Sequence, residues 1–189
     1  MAFDLDRFIH ECRLALDQPD PAGAVSRMLS EALRDPQAMA AALPAATLDG
    51  SGAARYDFLH QDSRLSVLHV VMPAGLVSPP HNHLVWAVIG MYRGGEDSEF
   101  FVRDGTRLRP AGHRALRAPE VMRLEAEVIH GISNPLAEPS RALHVYGGAL
   151  ANPSRSLWAP DTLVEEPFQV ERMLACEREH ARRARGPVA

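Results

Sequence analysis

Apolar positions recur every three to four residues over the first part of this chain and every second residue after it. Phe3, Leu5, Phe8, Ile9, Cys12 and Leu16 follow helical spacing, with Asp4 placed to cap the start. Asp17 to Pro21 breaks the pattern, and Val25, Met28, Leu29, Ala32 and Leu33 make a second apolar stripe between Ala22 and Leu33. A short helical run, Gln37 to Leu43, ends at Pro44. The texture changes after Leu48-Asp49-Gly50-Ser51-Gly52. Arg55 to His60 and Arg64 to Met72 are rich in β-branched and aromatic residues, and Leu65, Val67, His69 and Val71 alternate. Leu84 to Tyr92, Glu99 to Arg103, Val121 to Leu124 and Ala142 to Tyr146 also read as strands. Turn signals separate them at Arg93-Gly94-Gly95, Asp104-Gly105, Pro110-Ala111-Gly112 and Asn134-Pro135. A last helix is expected from about Pro167 to Arg183. Many short strands with regular turns predict an antiparallel sandwich or barrel, with helices packed outside it.

The chain of 189 residues is long enough for one domain with a real core. The expected division is a helical segment over 1–48, a barrel over 49–160, and a C-terminal helix and tail over 161–189. Its formal net charge of −4, from 20 basic and 24 acidic side chains, points to neither a nucleic-acid nor a membrane partner. Cys12 and Cys176 lie near opposite ends in helical segments, which argues against a disulfide framework and against a thiolate metal site. The segment Met1 to Asp6 lacks the basic and then apolar pattern of a secretory signal, and no apolar run approaches membrane-spanning length. The expected compartment is the cytoplasm.

The chemistry concentrates in Pro79-Pro80-His81-Asn82-His83. Histidines one residue apart share a face of an extended segment, so a single divalent ion can bridge both imidazoles. Pro80 biases Pro79 towards extended geometry and stiffens the approach. The stretch that follows, Leu84-Val85-Trp86-Ala87-Val88-Ile89-Gly90, holds no acid to complete the site. His130 is the best further ligand, at the end of the run Val121 to Ile129 and before Gly131-Ile132-Ser133-Asn134.

These residues resemble the two motifs of the cupins. Gly75, His81 and His83 fall at the spacing of the first motif, with Gly94 or Gly95 closing it, and His130 and Asn134 match the end of the second. The motif's glutamate is absent, since Ala87 or Val88 stands in its place; the second motif's earlier glycine and proline positions are also unmatched, with Glu125-Ala126-Glu127 near His130 instead. The resemblance covers about residues 50 to 150 and implies a double-stranded β-helix, a mainly β jelly-roll barrel, with the metal inside near one mouth. A cupin lacking that glutamate is similar to the thiol dioxygenases of the cysteine dioxygenase and 3-mercaptopropionate dioxygenase type. These hold ferrous iron with three histidines, here His81, His83 and His130. His144-Val145-Tyr146 resembles the branch's His-x-Tyr segment, which makes Tyr146 and His144 the expected catalytic assistants. Arg55, 26 residues before His81, stands where cysteine dioxygenases carry the arginine that grips a substrate carboxylate. The branch's serine before that segment is Ala142 here, and its cross-linking cysteine has no counterpart, with Val88 near its place. The surrounding residues look closest to bacterial cupin-type metal enzymes whose substrate the resemblance does not fix.

The expected activity is oxidation of the sulfur of a small thiol acid by dioxygen at mononuclear iron(II), with nickel, zinc or manganese as alternative occupants. The expected partners are that thiol and dioxygen, and a homodimer stays open. Two other readings remain: a three-histidine dioxygenase that cleaves a carbon–carbon bond of a β-diketone-like substrate, and a non-catalytic cupin that binds a metal or small ligand. Blander roles compete at single positions. Arg55 has a salt-bridge partner at hand in Asp57, Trp86 suits the core, His69 suits a satisfied sheet histidine, and Glu96, Asp97 and Glu99, which could include an acceptor for a ligand imidazole, better suit a turn and sheet edge.

Overall fold

The computed structural model describes residues 3–105, 107–151 and 154–186. Three helices open the chain: α1 (Leu5–Ala15), α2 (Pro21–Ala32) and α3 (Pro36–Ala42). Each starts on an aspartate whose carboxylate accepts a backbone N–H three residues on: Asp4 from Arg7, Asp20 from Gly23 and Asp35 from Ala38. In α2 and α3 a proline follows the cap, where its missing N–H costs nothing.

Eleven strands follow: β1 (Arg55–Gln61), β2 (Ser66–Met72), β3 (His81–Asn82), β4 (Ala87–Arg93), β5 (Gly95–Asp104), β6 (Arg107–Arg117), β7 (Val121–Leu124), β8 (Ile129–Ser133), β9 (Ser140–Tyr146), β10 (Ser156–Trp158) and β11 (Glu165–Pro167). One sheet has the order β1-β2-β9-β4-β7 and the other β11-β10-β3-β8-β5-β6, with every named pair antiparallel. This is a single-domain, mainly β double-stranded β-helix, with α1–α3 packed on the outer face of the first sheet and a terminal helix, α4 (Val170–Arg185), at the barrel mouth.

Alternation along the strands builds two apolar layers. Ala87, Ile89 and Met91 of β4 and Ala142 and Tyr146 of β9 join the cluster inside the barrel. Val88 and Tyr92, with Leu143 and Val145, face the other way onto Phe8, Cys12, Val25 and Leu29 of α1 and α2. Gly90 has no side chain because Leu29 fills its space; a Cβ there would lie 2.6 Å from the leucine. Trp86 likewise closes on Gly147, where a Cβ would lie 2.0 Å from the indole, and it packs against the helix-side cluster.

Three strand expectations change. The run expected from Leu84 starts at Ala87, because Leu84 takes a left-handed backbone (φ 58°) that turns the chain away from His83. β5 is longer than Glu99–Arg103 and begins at Gly95. The turn expected at Pro110-Ala111-Gly112 is instead the middle of β6. That strand lies at a sheet edge and is mostly exposed, so no apolar alternation marks it. Its proline sits beside a register shift opposite Phe100 and Phe101, where a missing N–H is tolerated.

The terminal helix is fastened over the barrel mouth by the buried Glu177. Its carboxylate accepts from the Ala54 N–H (2.9 Å), the Tyr56 hydroxyl (3.0 Å) and the Ser78 hydroxyl. No helix among the described residues is long and apolar enough to cross a membrane.

Candidate metal centre

His81 opens the two-residue strand β3 and His83 follows it directly, and β8 pairs with β3 so that His130 lies directly opposite His81. The three rings form a near-equilateral triangle, with centroids 5.0 Å (His81–His83), 4.8 Å (His81–His130) and 5.1 Å (His83–His130) apart. One nitrogen from each lies within 4.8 Å of the others, and this is the only such cluster of metal-binding side chains among the described residues. The Pro79 carbonyl can only accept, so His81 Nδ1 carries the proton that it donates at 3.0 Å, leaving Nε2 a free lone pair. His130 Nδ1 meets the Ser98 hydroxyl at 3.5 Å, and its Nε2 is buried with no partner. Buried nitrogens without partners and second nitrogens held by oxygen are the arrangement a metal-binding imidazole needs.

Burial also keeps these rings in the ligand form. His81 and His83 are held well below the usual histidine range, first by desolvation and then by the other rings and the charge of Arg155. His130 is pushed down to about 4 by burial and Arg155. Neutral imidazoles do not have to lose a proton to bind a cation at neutral pH. The donor set therefore fits a divalent transition metal, without selecting among iron, nickel, zinc and manganese.

A cavity of about 350 Å³ opens beside the three rings. Tyr146 and His144 both line it, because alternate residues of β9 point inwards. The Tyr146 ring stands 5.0 Å from that of His83, and its hydroxyl shares a 3.0 Å hydrogen bond with His144 Nδ1. Burial raises the phenol above its usual range and pushes His144 down to about 3, so both are neutral at pH 7.

Arg55 is not brought to the cavity. It lies on β1 with its side chain 44% exposed, 2.7 Å from Asp57, and donates to the Thr47 carbonyl as well. The guanidinium at the site belongs to Arg155, which precedes β10, the strand paired with β3. Arg155 is only 6% exposed, donates to the Asn82 carbonyl (3.0 Å) and the Leu150 carbonyl (2.9 Å), and lies 3.7 Å over the Phe168 ring. No carboxylate pairs with it among the described residues. No periodicity or motif marks Arg155 in the sequence; only the loop that returns to β10 brings it inside.

Glu96 was also expected elsewhere, at a turn and edge. Asp97 does pair with Arg117 at 2.7 Å, and Glu99 is exposed. Glu96 instead points inwards, wholly buried, and lines the cavity with its carboxyl pushed up to about 7 by burial and by Asp97. The alternation of Glu96, Ser98 and Phe100 along β5 was the available signal. Asn134 is structural: its amide donates to the Met72, Pro73 and Glu138 carbonyls and its oxygen accepts from Leu136. His69 shares a 2.6 Å hydrogen bond with Tyr92 away from the cavity.

Fold and site together define a double-stranded β-helix barrel with a three-histidine group able to hold a metal. No family model matches the chain. Among solved structures, the cupin domain of Schizosaccharomyces pombe Cnp3 is similar over 56% of this chain and 66% of its own, at 16% identity and a TM-score of 0.46. A Klebsiella pneumoniae protein with a double-stranded β-helix domain matches over 60% of this chain and 84% of its own, at 17% and 0.45. An oxalate oxidase in complex with glycolate matches over 59% of this chain and 58% of its own, at 15% and 0.45.

Proposed function

We propose that this protein is a mononuclear non-haem iron dioxygenase that oxidises the sulfur of a small thiol acid to a sulfinate. The observation that carries the reading is an unpaired buried guanidinium, Arg155, lining the same cavity as three neutral imidazoles. In the overall reaction both atoms of dioxygen join the sulfur, which loses four electrons while dioxygen gains them, and the thiol proton is released. When bound, iron(II) would supply the activation of dioxygen and a positive centre for the thiol sulfur.

The chain's own residues do the rest. His81, His83 and His130 would hold the ion without neutralising its charge. Arg155 would grip the substrate carboxylate and hold it in one orientation, with its own plane fixed by the Phe168 ring and two backbone carbonyls. Tyr146, as a neutral hydroxyl steered by His144, would donate a hydrogen bond to oxygen developing negative charge beside His83. Phe58, Val170 and Met173 give the cavity part of its apolar lining.

Arg155 favours this reading over carbon–carbon cleavage of a β-diketone, whose enolate needs no buried anchor. The cavity beside the rings favours it over a closed, purely binding site. The iron-loaded protein is expected to consume dioxygen with cysteine or 3-mercaptopropionate and not with acetylacetone, measured with an oxygen electrode. Uptake with acetylacetone alone would replace the reaction, and uptake with none of them would leave a binding module.

A further inference from the structure

Glu96 is the unexplained group of the cavity. It is wholly buried, and neither carboxylate oxygen has a hydrogen-bond partner among the described residues. Buried carboxyls are ordinarily paired, and one left without a donor carries its full desolvation cost. No neighbouring donor bonds to it. Arg117, on the adjoining strand, donates to the Glu96 backbone carbonyl and pairs with Asp97. Arg155 donates to Asn82 and Leu150, and the Tyr146 hydroxyl is bonded to His144. Nor is Glu96 one of the group able to hold a metal, which consists of the three histidines. A carboxyl kept on the cavity wall without a donor is a site for a donor that the occupant brings.

The cavity is thus lined by a guanidinium with no carboxylate partner among the described residues, that of Arg155, and by an unbonded carboxyl, that of Glu96, together with the three rings. We propose that Glu96 is a ligand-recognition residue that accepts hydrogen bonds from an amine of the substrate, so that the cavity selects a bipolar thiol: carboxylate to Arg155, amine to Glu96. This rests on the thiol-acid reading above and narrows it to amine-bearing thiol acids. Glu96 reaches in from β5, on the sheet opposite Ala87, so the acid missing from the histidine motif is replaced by one aimed at the ligand instead of the ion.

The test is anaerobic titration calorimetry of the iron-loaded full chain with L-cysteine and with 3-mercaptopropionate, its counterpart without the amine. Glu96→Gln keeps the size and removes the charge. It is expected to weaken cysteine binding about tenfold or more and to leave 3-mercaptopropionate within about threefold. Glu96→Asp keeps the charge one methylene back and is expected to weaken cysteine by an intermediate factor, which preserves the test if the glutamine variant folds poorly. Equal weakening of both ligands, or of neither, overturns the role of Glu96 alone. A fall in bound iron in either variant overturns it too, since the carboxylate would then be a metal ligand. If neither thiol binds the unmodified protein, the thiol-acid reading falls, and the role of Glu96 with it.

Discussion

Replacing His130 by alanine is expected to abolish stoichiometric metal binding while leaving the barrel folded. His130 supplies one corner of the ring triangle, and its Nε2 is buried with nothing to bond. Two imidazoles one residue apart cannot hold a transition metal as three do, so affinity should fall by more than about a hundredfold. The fold should tolerate the change, because the only hydrogen bond of the ring is a long one, 3.5 Å to Ser98. Thermal unfolding separates the two effects. Metal at about a hundred times its Kd stabilises by about 2.7 kcal/mol, or roughly 5–10 °C for a domain of this size. The unmodified protein should show that gain and His130→Ala should show none, with metal per chain read by elemental analysis. Undiminished metal content in the variant would place the ion elsewhere.

Arg155→Met is expected to cost catalysis selectively. A charge-assisted hydrogen bond contributes about 1.5–3 kcal/mol, so kcat/KM for L-cysteine should drop by about ten- to a hundredfold. The substitution also leaves the Asn82 and Leu150 carbonyls without their donor, and that loss would slow every substrate alike. A thiol without a carboxylate, such as 2-mercaptoethanol, separates the two causes. Its kcat/KM should change by less than about threefold, since it never used the guanidinium. Equal losses with both thiols would make Arg155 a strut for the His81–His83 loop and leave the carboxylate without an anchor.

Much of this molecule was legible in the order of its residues. The Asp4 cap and the apolar stripes place the first three helices, because capping and periodicity are local, while the Asp20 and Asp35 caps come from the structure. His81, His83 and His130 were legible because two sit on one short stretch and the third stands four residues before Asn134, although His130 lies at the start of β8 and not at the end of a strand running from Val121. β6 was not, because an exposed edge strand needs no apolar alternation and a proline at a bulge looks like a turn. Of the two charged groups at the cavity, Arg155 was missed and Glu96 was placed at a turn and edge, for the same reason. A lone Arg or Glu in a polar stretch reads as surface, and only tertiary pairing, β10 on β3 and the inward parity of β5, carries Arg155 and Glu96 inside. Arg55 had a local partner, Asp57, and keeps it.

The most direct measurement follows the oxygen atoms. The iron-loaded protein is given its thiol acid under isotopically heavy dioxygen in ordinary water, and the product is weighed by mass spectrometry. A sulfinate carrying both heavy atoms is the expected result, since the proposed reaction sends the whole of dioxygen to sulfur at the three-histidine centre. A disulfide, an unlabelled product or a sulfinate formed equally well by His130→Ala would contradict it.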